Sequence, residues 1–146
     1  MSTALAFAPA LATNPQPDVA INLKVCTRRA LVVDDNPDIA DMLAAVLRHS
    51  GYEATTAYSP SDALTTALTE HFDVIISDIG MPGMNGYELA RALREIPEYS
   101  TTPLVAVTGF AMYEDRDRAL EAGFNAHLCK PIDPQALTQA LLGIGH

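Results

Sequence analysis

Residues 30–37 read Ala-Leu-Val-Val-Asp-Asp-Asn-Pro, a run of four apolar side chains followed by two carboxylates and an Asn-Pro pair. A short continuous apolar run is typical of a strand that is buried on both faces of a parallel sheet. Pro is tolerated at the first position of a helix, where its missing N–H costs no hydrogen bond. The segment therefore predicts a buried strand that passes directly into a helix, with Asp34 and Asp35 at the carboxyl end of the strand.

The same step from strand to helix recurs along the chain. Further strands are predicted at 52–57, 73–77, 103–107 and 125–129. Apolar residues at helical spacing predict a first helix that ends at Gly51 (Ile39, Met42, Leu43, Val46, Leu47) and a second that begins at Ser59-Pro60 with its inward side formed by Ala63, Leu64, Ala67 and Leu68. The same spacing predicts a third helix through Leu89, Leu93 and Ile96. A polar fourth helix is predicted over 113–122, and Asp133-Pro134 caps the last helix.

Alternating strands and helices predict a three-layer α/β sandwich with a doubly wound parallel sheet. The second strand, 52–57, is the most polar, so we place it at an edge of the sheet. This placement matches a (βα)5 flavodoxin-like fold with the strand order 2-1-3-4-5.

Composition narrows the class of protein. The 146 residues are the size of one ordinary domain, and 18 Asp+Glu against 9 Lys+Arg give a net charge of -9, which disfavours nucleic acid as a partner. No segment reaches the ~18 apolar residues of a membrane span, and the uncharged stretch 1–17 lacks the basic start of a secretory leader. Two cysteines fit a reducing compartment. We expect a cytoplasmic protein with a flexible extension at 1–27 and one domain at 28–146.

Polar side chains collect at the carboxyl ends of four predicted strands. Asp34 and Asp35 follow the first strand, Asp78 the third, Thr108 the fourth and Lys130 the fifth. Ligands of open parallel sheets bind beyond these ends, at the point where the strand order reverses. We therefore expect the five side chains to share one crevice.

The chemistry of this crevice favours phosphoryl transfer. Two unit charges ~4 Å apart repel by about 4 kcal/mol at an effective dielectric of ~20, so either a carboxyl pKa rises or a cation binds among them. An all-oxygen donor set without histidine favours Mg²⁺ or Mn²⁺ over zinc. Lys130 offers positive charge to a phosphate oxygen and Thr108 offers a hydroxyl. A carboxylate can act as the nucleophile and form an acyl phosphate.

Four motifs occur in order along the chain: 31–36 (Leu-Val-Val-Asp-Asp-Asn), 78–86 (Asp-Ile-Gly-Met-Pro-Gly-Met-Asn-Gly), 107–109 (Val-Thr-Gly) and 130–131 (Lys-Pro). With these motifs the chain from about residue 28 to 144 resembles the receiver domains of two-component response regulators. The run 123–131 looks like receivers attached to hybrid histidine kinases. The resemblance implies a stand-alone receiver in a phosphorelay, which catalyses its own phosphorylation and dephosphorylation only.

The resemblance also implies a role for each residue of the acidic crevice. Asp78 would accept a phosphoryl group from a phosphohistidine. Asp35, Asp78 and the backbone carbonyl of Gly80 would bind Mg²⁺, while Asp34 would act through water. The loop after the acceptor would be shaped by Met81-Pro82 and Gly86. The implied partners are a sensor histidine kinase or a histidine phosphotransfer protein, and a downstream protein or phosphotransfer partner that receives the signal.

Further roles concern the switch and the readout. Thr108 would move to bond the phosphoryl oxygens, and Lys130, with a cis peptide bond to Pro131, would pair with phosphorylated Asp78. The readout face would combine strand 4, helix 4 and helix 5. Where the family usually carries Tyr or Phe, three residues before Lys130, this chain has His127. We interpret His127 as a partly buried edge-strand residue, which puts the usual coupling of Thr108 to an aromatic ring in doubt.

Three other functions are compatible with parts of the pattern. A phosphohydrolase of the haloacid dehalogenase-like family would carry Asp-x-Asp after the first strand, where this chain has Asp34-Asp35. A flavodoxin would carry a phosphate-binding loop after the first strand, where this chain has the two acids. A phosphate-independent binding module on a receiver fold stays open as the main alternative, because only activity distinguishes it from a competent receiver.

Overall fold

The computed structural model describes residues 28–109 and 113–144. Its elements, in chain order, are β1 (Arg28–Val33), α1 (Pro37–His49), β2 (Tyr52–Ala57), α2 (Pro60–Thr69), β3 (Val74–Asp78), α3 (Gly86–Arg94), β4 (Leu104–Thr108), α4 (Tyr113–Ala122), β5 (Ala126–Cys129) and α5 (Pro134–Ile144). A 3₁₀ turn at Pro97–Tyr99 precedes β4. The extension predicted at 1–27 lies outside the described residues. Among the helices that are described, none has the length and apolar character needed to cross a bilayer.

The five strands form one sheet in the order β2-β1-β3-β4-β5, and every neighbouring pair is parallel. This confirms the predicted fold and the edge position of the polar strand. Two strands end one residue later than predicted, because the N–H of Ile79 donates to the carbonyl of Val107 and the N–H of Lys130 donates to the carbonyl of Thr108, which continues the ladder on both strands. Asp78 and Thr108 are therefore the last residues of β3 and β4.

Successive strand residues alternate between the two faces of the sheet, and each face is covered by helices. On one face Val32, Ile76 and Val105 pack with Leu43 and Leu47 of α1 and with Leu137 and Leu141 of α5. On the other face Leu31, Ile75 and Leu104 pack with Ala63 and Ala67 of α2, Leu89 and Leu93 of α3, and Ala119 and Ala122 of α4. Because both faces are covered, the inner strands β1, β3 and β4 are mostly apolar, and the edge strand β2 is the most polar of the five.

The predicted helix starts are confirmed by their hydrogen bonds. The side chain of Asn36 accepts a hydrogen bond from the N–H of Asp38, and that of Ser59 accepts one from the N–H of Asp62. Gly51, just after α1, has φ +97°, a left-handed conformation that L side chains rarely adopt. Local sequence therefore accounts for where these helices begin and end.

The predicted inward position of Leu68 is wrong, since this side chain is 69% exposed. The buried stripe of α2 runs through Ala63 and Ala67, and Leu68 lies further around the helix than Leu64. Met42, which shares the helical spacing of the apolar residues in α1, is likewise 43% exposed. On both helices, alanines occupy buried positions, and short side chains allow a helix to approach the sheet closely.

The guanidinium of Arg94, at the end of α3, hydrogen-bonds to two connections, the one between α3 and β4 and the one between α4 and β5. Its Nη1 donates to the carbonyls of Tyr99 (2.8 Å) and Thr102 (2.7 Å). Its Nη2 donates to the carbonyl of Gly123 (2.6 Å) and to Oδ1 of Asn125 (2.9 Å). Burial lowers the pKa of Arg94. This side chain fixes the 3₁₀ turn and the α4–β5 connection relative to α3.

His71 links the α2–β3 connection to the 3₁₀ turn, at the end of the sheet opposite the acidic crevice. Its Nδ1 lies 2.6 Å from a Glu98 oxygen and its Nε2 lies 3.3 Å from Asp73 Oδ1, while its ring stacks on Tyr99. The hydrogen bond to Glu98 and the nearby Asp73 carboxylate raise the pKa of His71. Folding therefore favours the imidazolium, so its stabilisation is complete below the unfolded pKa of ~6.5 and is lost as the pH rises through the folded pKa.

We expect His71→Gln to lower the free energy of unfolding at about pH 6 by at most ~1 kcal/mol, because the ion pairs are exposed to solvent. At about pH 9 the substitution should have a smaller effect, because the imidazole is then neutral in both states. Urea unfolding at the two pH values measures both quantities. His49→Gln, which changes an exposed histidine on α1, serves as the control. An equal loss at both pH values would contradict the role of charge at His71.

Candidate functional site

The residues predicted to share one crevice lie at the carboxyl edge of the sheet. The N–H of Asp34, directly after β1, donates to the carbonyl of Ala57 (3.1 Å), and the N–H of Lys130, directly after β5, donates to the carbonyl of Thr108 (2.7 Å). Asp78 ends β3 and is buried, as is the Thr108 side chain. Each side chain therefore stands where a parallel strand stops, as expected from the pattern of apolar runs.

Three carboxylates form the centre of the crevice. Oxygens of Asp34, Asp35 and Asp78 all lie within 4.8 Å of one another. Asp34 and Asp78 are buried, whereas Asp35 is exposed and gives the cluster access to solvent. This all-oxygen donor set, open on one side, fits a hard divalent cation such as Mg²⁺, which usually keeps several waters.

Lys130 bridges the two buried carboxylates. Its Nζ lies 3.3 Å from Asp34 Oδ2 and 3.3 Å from Asp78 Oδ1. Burial alone would lower the pKa of Lys130, but the charges of Asp78 and Asp34 outweigh burial and raise it. The ammonium therefore stays protonated at neutral pH. Three carboxylates and one ammonium leave a local charge of about -2, which a divalent cation balances.

Asp34 has the most enclosed position of the three acids, with no exposed surface. Its Oδ1 accepts a hydrogen bond from the N–H of Asn36 at 2.9 Å. Burial raises the pKa of Asp34, the charge of Asp78 adds to the increase, and the Asn36 N–H and Lys130 oppose it. Asp34 pairs with Lys130, which places the ammonium beside Asp78.

The backbone of the loop between β3 and α3 folds tightly against Asp78. The N–H of Gly80 points to Asp78 Oδ1 at 3.3 Å, and the N–H of Gly86 donates to the carbonyl of Ile79 at 2.9 Å. A Cβ on Gly86 would overlap the carbonyl oxygen of Asp78 and lie 2.7 Å from the Cα of Ile79. Gly86 thus permits a close approach between the start of α3 and the end of β3, in line with its predicted role in shaping the loop.

Ser77 contributes to the backbone geometry around Asp78, and this role was not predicted from the sequence. Its side chain is 1% exposed, and its Oγ donates to the carbonyl of Asp78 at 2.9 Å. A single hydroxyl inside an otherwise apolar strand was the available signal, because a buried polar group needs a partner. The carbonyl oxygen of Asp78 thus accepts a hydrogen bond from Ser77 and lies close to the backbone of Gly86.

The remaining predicted residues lie beside the crevice. His127 is half-buried on the edge strand β5, in register with Ala106, which confirms the interpretation as a partly buried edge-strand residue. The peptide bond between Lys130 and Pro131 is cis, as the resemblance implies. Between α4 and α3, the guanidinium carbon of Arg118 lies 4.4 Å from the ring centroid of Tyr87. Residues 110–112, before α4, lie outside the described part of the chain.

Fold and site together define a class of protein: flavodoxin-like α/β domains with an acidic, lysine-paired cleft at the switch point of the sheet. The family model of the response regulator receiver domain matches residues 30–142. The chain belongs to this receiver domain family.

The relatives of this chain include two bacterial signalling proteins. It is 43% identical over 107 residues to an uncharacterized 14.6 kDa protein of Leptolyngbya boryana, covering 73% of this chain and 82% of that one. It is 38% identical over 111 residues to the sensor histidine kinase RcsC of Escherichia coli K12, covering 76% of this chain but only 12% of the kinase. It is 34% identical over 106 residues to the response regulator DivK of Brucella ovis, covering 73% and 86%. The chain thus corresponds to one part of RcsC and to most of DivK.

Solved structures agree with this placement. The chemotaxis protein CheY4 of Vibrio cholerae superposes with a TM-score of 0.79 at 34% identity, covering 82% of this chain and 99% of CheY4. The receiver domain of the sensor histidine kinase PA1611 from Pseudomonas aeruginosa gives a TM-score of 0.75 at 31% identity, covering 83% and 100%. That domain holds a magnesium ion coordinated in its active site cleft.

Proposed function

We propose that this receiver accepts a phosphoryl group from a phosphohistidine onto Asp78 in a Mg²⁺-dependent reaction. The observation that carries the proposal is the cluster of three carboxylates within 4.8 Å, with Lys130 3.3 Å from both Asp34 and Asp78. The complete set supports phosphoryl acceptance over a phosphate-independent binding module, since a binding module has no need to hold three acids together.

Each residue has a distinct part in the proposed reaction. A carboxylate oxygen of Asp78 attacks phosphorus, the bond from phosphorus to the imidazole nitrogen breaks, and the nitrogen leaves with the electron pair. Lys130 places positive charge where phosphoryl oxygens gain negative charge, and the hydroxyl of Thr108 donates to one of them. The receiver catalyses only its own phosphorylation and dephosphorylation.

The metal would be held by Asp35, Asp78 and the backbone carbonyl of Gly80, with Asp34 acting through water. When bound, Mg²⁺ neutralises charge on the transferring group. The PA1611 receiver, whose cleft holds magnesium, supports a magnesium site in the corresponding cleft of this chain. A sensor histidine kinase or a histidine phosphotransfer protein is the proposed donor. The phosphorylated form would signal through the face of β4, α4 and α5, or pass the phosphoryl group on.

The test is the intact mass of the protein after incubation with acetyl phosphate, with Mg²⁺ and with EDTA. We expect the gain of one phosphoryl group with Mg²⁺ and none with EDTA. Hydroxylamine should remove the group, because it cleaves acyl phosphates. No gain from acetyl phosphate and none from a phosphorylated histidine phosphotransfer protein would leave the binding-module alternative in place.

Asp35→Ala should weaken Mg²⁺ binding at least about tenfold, by analogy with the losses that follow changes around metal ligands. Asp35 is exposed, so its removal takes away a donor while Asp34, Asp78 and Lys130 keep their ion pairs. Titration followed by calorimetry measures the affinity. Asp62→Ala, on the exposed side of α2, is the matched control and should not change it. Equal affinity in Asp35→Ala and the parent protein would remove Asp35 from the ligand set.

A further inference from the structure

A groove of about 650 Å³ lies between α1 and α5, separate from the acidic crevice. It is lined by Ala45, Val46, His49, Ser50, Pro134, Gln135, Thr138 and Gln139. None of these eight residues is an aspartate, glutamate, lysine or arginine. The chain as a whole has a net charge of -9, so this groove differs from the rest of the surface in carrying no formal charge.

The groove continues onto an exposed leucine. Gln135, Thr138, Gln139 and Leu142 are spaced i, i+3, i+4 and i+7, so they share one stripe of α5. Leu142 is 63% exposed, and the whole of α5 carries no charged side chain. The same face thus presents both an apolar projection and a concave surface, which is the combination that a symmetric interface needs, because each copy contributes both parts.

Electrostatics favours a second copy of this chain as the occupant. Two molecules of charge -9 repel at most orientations, and the cost is lowest where the facing surfaces carry no charge. A basic partner would be attracted to the acidic surfaces of the molecule, and electrostatic attraction would not direct it to the uncharged groove. We propose that the α1–α5 face, defined as the groove-lining residues together with Leu142, is a homodimer interface.

The size of this face sets the strength of the association. Helices of 11 to 13 residues are about 16 to 20 Å long, and two side by side are about 20 Å wide, so the face covers roughly 400 Å² per copy. The total of about 800 Å² is below the ~1,200 Å² at which stable specific interfaces begin. The dimer is therefore weak and forms at high micromolar to millimolar protein concentration.

Sedimentation equilibrium on the unphosphorylated full chain tests the proposal. The average mass should rise with concentration from 15.6 kDa towards twice that value. The dimer share should increase from about 0.01 M to 0.15 M NaCl, because screening shortens from ~30 Å to ~8 Å and reduces the repulsion. Since no phosphorylation is involved, the result is independent of the proposed function.

Three variants locate the interface. Leu142→Asp and Ala45→Glu each place a charge on the face, on α5 and α1 respectively, and each should weaken association at least about tenfold. Leu68→Asp is the matched control, since Leu68 is an exposed leucine (69%) on α2, across the sheet. It should leave association unchanged. Thermal melting confirms that each variant is folded.

Three results would overturn the proposal. A mass that stays at the monomer value up to millimolar concentration would show that no second copy occupies the groove. A dimer that persists in Ala45→Glu would use another surface, such as the face of β4, α4 and α5, which also contains α5. A dimer that weakens as salt increases would depend on opposite charges and would equally exclude this uncharged face.

Discussion

Asp78→Asn is expected to abolish phosphoryl acceptance while the fold stays intact. The amide has nearly the shape of the carboxylate, but its nitrogen and oxygen are poor nucleophiles, so the bond to phosphorus does not form. Lys130 keeps its ion pair with Asp34 at 3.3 Å, and one of three mutually repelling carboxylates is removed. We therefore expect no phosphoryl gain by intact mass and a free energy of unfolding within about 1 kcal/mol of the parent.

A matched substitution separates the acceptor from a general effect of charge. Asp62→Asn also removes one carboxylate, but on the exposed surface of α2, and it should retain full labelling. Labelling of Asp78→Asn at the parent level would exclude Asp78 as the phosphoryl acceptor and would leave Asp34 and Asp35 as candidates. Loss of labelling together with loss of folding would instead show that Asp78 is required for stability, which circular dichroism detects directly.

The position of Asp78 could be predicted because it depends on a short-range pattern. Apolar runs of four to five residues mark strands buried on both faces, and parallel strands end at one edge of the sheet. Asp34, Asp78, Thr108 and Lys130 follow or end such runs, so the sequence alone places them at a common edge. The distances among them depend on the register of β1, β3, β4 and β5, which the apolar pattern does not specify.

Features that depend on long-range contacts could not be predicted. Arg94 donates to backbone carbonyls of Tyr99, Thr102 and Gly123, and a backbone carbonyl has no signature in the sequence. Helical spacing identifies the buried side of α2 only to within about one position, so Leu68 was assigned to the wrong side. Ser77 is a different case, because its partner, the carbonyl of Asp78, is local, but a hydroxyl in a strand has several possible partners and the sequence does not select one.

Gly86→Ala should lower the free energy of unfolding by about 2 to 3 kcal/mol, as overpacking of a close contact does. The added Cβ would overlap the carbonyl oxygen of Asp78 and approach the Cα of Ile79 to 2.7 Å. Both neighbours are backbone atoms, so no side-chain rotation relieves the contact. The start of α3 cannot easily shift either, because Asn85 and Glu88 form a reciprocal capping box there. Alanine has a higher helix propensity than glycine, which by itself would raise the free energy of unfolding by up to ~1 kcal/mol. The measured loss is the net of this gain and the cost of the clash.

Gly80→Ala is the control for stability, since a Cβ at Gly80 meets no atom within 4 Å and lies in the same loop. Urea unfolding should separate the two variants by at least about 1 kcal/mol. Since the Asp78 carbonyl also accepts from Ser77, relief of the clash must move the acceptor backbone, so Gly86→Ala should also label more slowly with acetyl phosphate under conditions where it is fully folded. Slower labelling of folded Gly86→Ala would show that the close approach positions Asp78 for chemistry. Normal labelling with reduced stability would restrict Gly86 to a structural role.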